Sequence, residues 1–547
     1  MKKMSTKVLS FVLAVVFVTG LLTACSSGSK VANDNTTQEP ASTTATANND
    51  TQKQEPAEDF TSEVTKYTLM APLFGDLPDI SDEELYKMIR EQTGIDWDVT
   101  WVSSSDYTTK FQTVLASGDI TDVIVTTNLL DTTLNKCIKD GYFADLTDYL
   151  GDFSKYPNLI NNETKNAFNY VTSSDKRIMA IPRSRADLEM VIYMRKDWMD
   201  KLGYTVDQIK TVDDWKNMVV DISKKDPDGN SKADTLGYAA WGYNLGDGYL
   251  TDIMSSAFGA YNGQKDEAGG LYYPNLTDGF VDYIEFANKM YKEGAVSQEF
   301  SVLGLSEASD MFNAGLAASY VRTGTWGWGY EKNLKENLGL ADAEVIALPY
   351  LKGTGDNTTA TRTTGVYGAY YLNSELEDYD IKKLLNFYEY TCNEEWHTYA
   401  FYGMEGRDYT VDANGSKVAT EYGANNVMKY QSLQQVVTTI ANAEMKLVST
   451  SAPKEFNDKI KAAALTYLEP AANIRLNHFR AINSDSWAKV WPLYQKTYEE
   501  NTVKAIVGSM SMDEYRKYIS DLRAQDDMKK CWQEFAAHDA QLFPDGY

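Results

Sequence analysis

Between Thr68 and Val125 the chain alternates strand-like and helix-like patterns in an order that leaves few folds open. Thr68-Leu69-Met70-Ala71 reads as a strand, and Ser81 with Glu84 forms a capping box ahead of a helix through Met88 and Ile89. Ile95, Trp97, Val99 and Trp101 alternate with polar residues at the period of a strand. Tyr107, Phe111, Val114 and Leu115 then make a helical stripe that stops at Ser117-Gly118, and Val123-Ile124-Val125 is a third, wholly apolar strand. This strand-helix-strand-helix-strand order requires a parallel sheet with right-handed crossovers, which places the chain in the α/β class.

A chain of 547 residues is long enough for two or three domains with full cores. Hydrophobic residues at 43% and aromatics at 12% exclude wholesale disorder. The net charge of −26 repels phosphate backbones, which argues against a nucleic-acid partner and for solubility outside the cell. Thirty-seven tyrosines and 11 tryptophans exceed ordinary usage; most serve a core, but flat rings also stack on sugars.

The first 25 residues read as a targeting segment. Lys2, Lys3 and Lys7 precede an apolar run from Val8 to Leu22, and Leu22-Thr23-Ala24-Cys25 looks like a bacterial lipobox that leaves Cys25 acylated at the mature N-terminus. An ordinary signal peptide or a membrane anchor with a chance cysteine is the competing reading. No later stretch approaches the roughly 20 apolar residues that span a bilayer, so the mature protein is expected on the outer face of the cytoplasmic membrane, held by lipid. Residues 26–60 are rich in Ser, Thr, Asn and Gln and suit a disordered tether. The wide spacing of Cys137, Cys392 and Cys531 makes neither a disulfide framework nor a zinc motif, and three histidines make a His-ligated catalytic metal improbable. Buried, inert thiols are the expectation.

In the stretch from Ile178 to Trp198, two apolar runs flank a polar middle with Pro182, Arg183 and Arg185. Pro182 pushes Ile181 towards extended backbone, and β-branched residues favour strand in the second run. A strand, a stiff crossing and a second strand suit a chain leaving one domain for another. This stretch resembles the hinge of the extracellular solute-binding proteins of ABC importers, in the sugar-binding group that includes maltose-binding proteins. Its Ile-Pro and Tyr-x-Arg-Lys-Asp-Trp are closest to the larger lipoprotein branch, which includes alginate-binding relatives. Ser117-Gly118-Asp119-Ile120-Thr121-Asp122, Gly141-Tyr142-Phe143 with Leu146, and Gly508 with Ser511 and Glu514 resemble further family motifs.

The resemblance implies a two-lobe clamp of type II, each lobe an open, mostly parallel sheet with flanking helices. Residues 61–185 with 363–400 would form the N-terminal lobe, 186–362 the C-terminal lobe, and 401–547 a helical part completing both. It also implies a monomer that captures a carbohydrate, as an oligosaccharide, by hinge closure and delivers it to permease subunits. A peptide, a polyol or a uronic-acid oligomer as cargo stays open, as does a lipid-anchored polysaccharide hydrolase or lyase. Enzyme signatures are absent: no Gly-x-Ser-x-Gly, no P-loop and no Gly-x-Gly-x-x-Gly in a strand-to-helix context. The protein is accordingly read as a non-enzyme without a catalytic cofactor.

Three segments are candidates for ligand contact. Arg322 to Tyr330 sets Trp326, Trp328 and Tyr330 among glycines, where rings need not be core; on a strand, Trp326 and Trp328 would share one face. Ala240 to Asn244 holds Trp241 and Tyr243 in a similar setting. Tyr402, Glu405 and Arg407 lie in a loop that resembles the branch's Tyr-Gly-x-Glu-Gly-x-x-Tyr, where Arg407 offers either two hydrogen bonds to ligand or a surface ion pair. Asp119 is added from the end of a strand connection, where open α/β sheets bind ligands. Asp226, Asp228, Asn230, Lys232 (through its carbonyl) and Asp234 follow positions 1, 3, 5, 7 and 9 of an EF-hand-type loop for a structural calcium, although Gly237 replaces the glutamate of position 12. A solvated turn is the alternative reading of that loop.

Overall fold

The structure is a computed structural model that describes residues 59–544, apart from 74–82, 161–166, 174, 185–189, 233, 247–249, 363–364, 413–416, 427–428, 431, 439, 441–451, 470–474, 477–478, 480–481 and 483. Cys25, Ser81, Arg185 and His478 fall outside the described residues.

Three strands open the fold: β1 (Thr65–Leu73), β2 (Ile95–Ser103) and β3 (Val123–Thr126), joined by helices Glu83–Thr93 and Ser104–Ser117. They pair in parallel in the order β2-β1-β3, as the sequence pattern requires. The second helix stops where expected, because Gly118 takes φ 76° and turns its N–H back onto the carbonyls of Val114 and Leu115.

The chain then leaves this sheet through β4 (Ile181–Ser184) and enters a second with β5 (Met190–Arg195). The second sheet is completed by β6 (Leu236–Tyr238), β7 (Ala317–Thr323) and β8 (Val345–Ala347), in the order β6-β7-β5-β8. After β9 (Thr361–Arg362) the chain returns to the first sheet as β10 (Val366–Leu372), which inserts between β3 and β4. Two lobes result, each a sheet with flanking helices. Both sheets are mixed in the same way. β10 is antiparallel to both neighbours in the first sheet and β5 to both in the second, while the remaining strands of each run one way. The reversed strand in each lobe is the one that arrives from the other lobe.

Side chains alternate along β5 as strand geometry demands. Ile192 and Met194 enter a core with Trp215, Tyr238 and Phe286, whereas Val191 and Tyr193 enter another with Tyr320, Tyr330 and Phe456. Trp215 is placed by helix Val212–Lys224, whose start is fixed by a capping box between Thr211 and Asp214. The first lobe has its own core, running from Tyr67 to Val437.

A third passage follows. Tyr430, Leu433, Val436 and Val437 pack in the first lobe, and Ala452 and Phe456 pack in the second. Short pairs β11 (Tyr409–Val411) with β12 (Lys417–Ala419), and β13 (Arg475–Leu476) with β9, complete the strands. The helical C-terminal part ends in two helices, Met512–Arg523 and Asp526–Leu542, which pack with Trp487–Val507 on the second lobe. Cys137, Cys392 and Cys531 are buried and form no disulfide with one another; burial pushes the Cys531 thiol up to about 11. Among the described residues no helix is long and apolar enough to cross a membrane.

Candidate functional site

The strand directions bring functional edges together. In the first sheet the carboxyl ends of β3 and β4, Thr126 and Ser184, lie beside the start of β10, with Val366 opposite Ser184. In the second, the carboxyl end of β7, Thr323, lies opposite Met190, the first residue of β5. The segments that pass between lobes therefore run along the carboxyl edges of both sheets. Open α/β sheets bind ligands at such edges, where strand ends feed loops and helix starts with unsatisfied N–H groups.

The second lobe supplies rings there. Thr323 is followed by a turn, Gly324–Trp326, and a helix, Gly327–Lys332. The segment is thus not the strand that the Trp326 and Trp328 spacing allowed, and the three rings part company. Trp326 is half-buried; it stacks on Tyr330 with centroids 6.0 Å apart, and the guanidinium carbon of Arg322 stands 4.6 Å from its centroid. Trp328 faces elsewhere, edge-on to Phe456 at 5.3 Å, and helps seat the helix Lys454–Leu465. Tyr330 is 2% exposed, wedged against Tyr193, Phe312 and Tyr320, and its hydroxyl is 3.0 Å from that of Ser309. It is a core residue, not a ligand residue. Gly327 serves close packing, since a Cβ there would stand 2.6 Å from the Tyr193 ring, whereas Gly329 has open space around it.

Trp241 and Tyr243 follow the carboxyl end of β6, at the same edge, and both are half-buried. Trp241 borders the core that holds Tyr330, while Tyr243 lies edge-on to Tyr498 of the C-terminal helices at 6.1 Å. Of these rings, Trp241 and Trp326 best combine the edge position with partial exposure.

In the first lobe Asp119 requires correction. It lies four residues ahead of β3, at the amino edge of the parallel strands, exposed and opposite to the edge where ligands sit. Asp122 is occupied there as an acceptor for the Thr68 N–H and hydroxyl, both at 2.7 Å. The third segment is also engaged. Arg407 donates from Nε and Nη2 to Asp408 at 2.8 and 2.6 Å and from Nη1 to Glu84 at 3.0 Å, so its ion pairs take the place of the ligand contact. Tyr402 is buried beneath the ammonium of Lys417, 4.9 Å from its centroid, whereas Glu405 is exposed.

The side chain that sequence reasoning passed over is Arg183. It sits in β4, one residue from the carboxyl end, and is 7% exposed. Its guanidinium carbon stands 5.4 Å and 5.7 Å from the centroids of Tyr367 and Tyr370, and Nη2 donates to the Gln434 carbonyl (2.9 Å) and Gln435 Oε1 (2.7 Å). Its place just before a crossing was the available signal.

The loop 226–234 precedes β6 and so lies at the amino edge of the second sheet, away from the cleft. Asp226 Oδ1 accepts from the N–H groups of Gly229 and Asn230, and Asp226 Oδ2 from that of Ser231. The Asn230 amide nitrogen donates to Asp228 at 2.8 Å and to Asp234 at 3.1 Å, and the Lys232 N–H donates to Asn230 Oδ1. Burial, a hydrogen bond with Asp226 and the negative charges of Asp226 and Asp234 raise the Asp228 carboxyl above the usual range. Among the described residues no group of three or more His, Cys, Asp or Glu side chains stands ready to hold a metal ion.

Behind the crossings, a cavity of about 390 Å³ separates the first lobe from the C-terminal helices. The Lys139–Asp485 ion pair flanks it, the Gln541 amide donates to the Ser173 carbonyl at 2.9 Å, and Tyr170 packs on Phe543. Met179, ahead of β4, and Tyr371, late in β10, line this cavity together with Leu129 and Leu130, which follow β3.

Residues 78–389 match the model of the bacterial extracellular solute-binding protein family, more than half of the chain. The chain belongs to that family. Among its relatives is lipoprotein LipO of Bacillus subtilis (strain 168), 28% identical over 388 residues that cover 69% of this chain and 74% of LipO. The polygalacturonan/rhamnogalacturonan-binding protein YtcQ of the same organism is 22% identical over 465 residues, covering 83% of this chain and 87% of YtcQ. In fold the chain is similar to the Streptococcus pneumoniae substrate-binding protein FusA, solved as an EF-hand mutant with fructo-nystose, with a TM-score of 0.60 and 17% identity over 86% of this chain and 99% of FusA.

Proposed function

We propose that this solute-binding protein captures an oligosaccharide between its lobes and hands it to the permease of an ABC importer. The observation that carries this reading is Trp326. A half-buried indole, backed by Tyr330 and flanked by Arg322, stands where the second sheet's strand ends face the interlobe segments. Sugars offer apolar C–H faces to such a ring and hydroxyls to neighbouring polar groups. The names of YtcQ and FusA, both binders of saccharides, support the cargo class. Ligand favours closure because only the shut form lets both lobes touch it at once. No turnover belongs to this reading, and the protein acts as a monomer.

Cys25 is the lipidation site on this reading, and LipO's description as a lipoprotein supports it. Cys25→Ala would release the protein from cells into the medium; retention on the membrane overturns the anchor. The loop 226–234 binds a structural calcium: three carboxylates, the Asn230 amide and the Lys232 carbonyl are the hard oxygen donors that ion takes. Asp226, Asp228, Asn230 and Asp234 would hold the ion, and it would supply positive charge to a loop in which the Asn230 amide nitrogen already donates to Asp228 and Asp234.

Thermal melting of the protein lacking residues 1–25 against a glycan panel tests the central reading. A ligand at 100 times its dissociation constant stabilises by about 2.7 kcal/mol. Stoichiometric binding without product is the expected result; release of shortened glycans would make the protein a polysaccharide hydrolase or lyase instead.

A further inference from the structure

Arg90, Arg177, Arg195, Arg407, Arg516 and Arg523 each pair with a carboxylate, although the chain has acidic groups to spare. Arg183 has no carboxylate partner among the described residues. It is more buried than Arg177, Arg407 or Arg516, and its Nη1 makes no hydrogen bond. A guanidinium removed from water and left without a counter-anion is costly, and two carbonyl acceptors with two ring faces offset only part of that cost. The buried hydroxyl of Tyr388, which likewise lacks an acceptor, lies within electrostatic range of it. Two donors, both starved of an acceptor, thus share one neighbourhood near the carboxyl end of β4. Tyr367, whose ring faces the guanidinium, is half-buried at the start of β10, which pairs with the end of β4 at the interlobe edge. From the other lobe Arg322 comes to the same edge on the face of Trp326.

We infer that the captured oligosaccharide is acidic and that Arg183 receives a sugar carboxylate when the lobes shut. This deepens the carbohydrate reading and rests on it. A carboxylate presents planar acceptor oxygens that match the free side of a guanidinium, whereas a hydroxyl returns no charge. The arrangement also answers a long-range problem. A protein with a net charge of −26 repels an anionic glycan, so a buried arginine must supply the local attraction.

The test is calorimetry on the protein lacking residues 1–25, with short oligomers of galacturonate, glucuronate and mannuronate, the methyl ester of each, and neutral maltotriose and kestose. The inference expects one or more of the acids to bind, its ester to bind at least 30-fold more weakly, and the acid's affinity to fall as salt rises. Arg183→Met should lose at least 30-fold for the acid, with Arg183→Lys recovering part of it. Neutral sugars or esters binding as well as the acids would overturn the inference and leave the carbohydrate reading standing. Binding of no oligosaccharide of either charge would remove both. Arg183→Met that folds and keeps the acid within threefold would overturn the residue assignment. Should that variant not fold, the acid-against-ester comparison on the unmodified protein decides alone.

Discussion

Trp326 and Tyr330 stack on each other four residues apart, yet their positions assign them different work, and a pair of truncations separates the two. Tyr330 is 2% exposed and meets Tyr193, Phe312 and Tyr320. Tyr330→Ala leaves a ring-sized hole, and large aromatic truncations of this kind cost about 3–5 kcal/mol of stability. Trp326 is only half-buried, so Trp326→Ala should cost roughly 1–2 kcal/mol, mostly the stacking on Tyr330 and Arg322. Binding should show the reverse order. A sugar face that covers roughly 40 Å² of the indole and hides as much of its own surface removes about 80 Å² from water, worth about 2 kcal/mol. That is about a 30-fold weaker dissociation constant for Trp326→Ala. Titration calorimetry with a glycan identified by the melting screen, beside urea unfolding of both variants, reads the two quantities. The reasoning fails if Trp326→Ala binds every such glycan within twofold of the unmodified protein.

Chelator-treated protein should take up one calcium and melt higher when it does, and Asp226→Asn or Asp234→Asn should abolish both effects; no heat on titration means the loop is a turn. Burial pushes Glu534 up, but hydrogen bonds from the Ser484 and Ser486 hydroxyls and the Ser486 N–H outweigh it and hold the carboxyl below its usual range. Its contribution is therefore complete above about pH 4.5 and drains away as pH falls through the lowered value. Glu534→Gln should flatten the acid side of the melting profile, and parallel profiles would contradict the assignment. Gly368→Ala would put a Cβ 1.9 Å from the Thr126 carbonyl, so urea unfolding should show a loss of about 1–3 kcal/mol or more as β10 shifts off β3.

The fold was largely legible because its signals are local. The stripe from Tyr107 to Leu115 and the Gly118 stop both stand where the residues call for them. The site was legible only in part. Trp326 and Trp328, two apart, satisfy a strand and the start of a helix equally, and nothing short of the Tyr193 ring beneath Gly327 decides between them. Asp119 was misplaced because a connection ends at the amino edge of the strand that follows it, not at a carboxyl edge. Arg407 was a fair candidate by type, but its fate depends on Glu84, 323 residues away in the chain, which no spacing rule reaches. Arg183 escaped notice for the opposite reason: what marks it is a partner it lacks, and sequence shows only what is there.

The insertion of β10 between β3 and β4 also dictates an order of events in biogenesis. A polypeptide secreted amino end first presents β3 with an unpaired edge, and that edge waits for residues 366–372 to emerge. The whole second sheet is translocated in the meantime. Exposed strand edges are templates for association with other chains, so this interval is the vulnerable one for the nascent molecule. A product truncated after β9 would hold four of the five strands of its first sheet and lack the one that joins them.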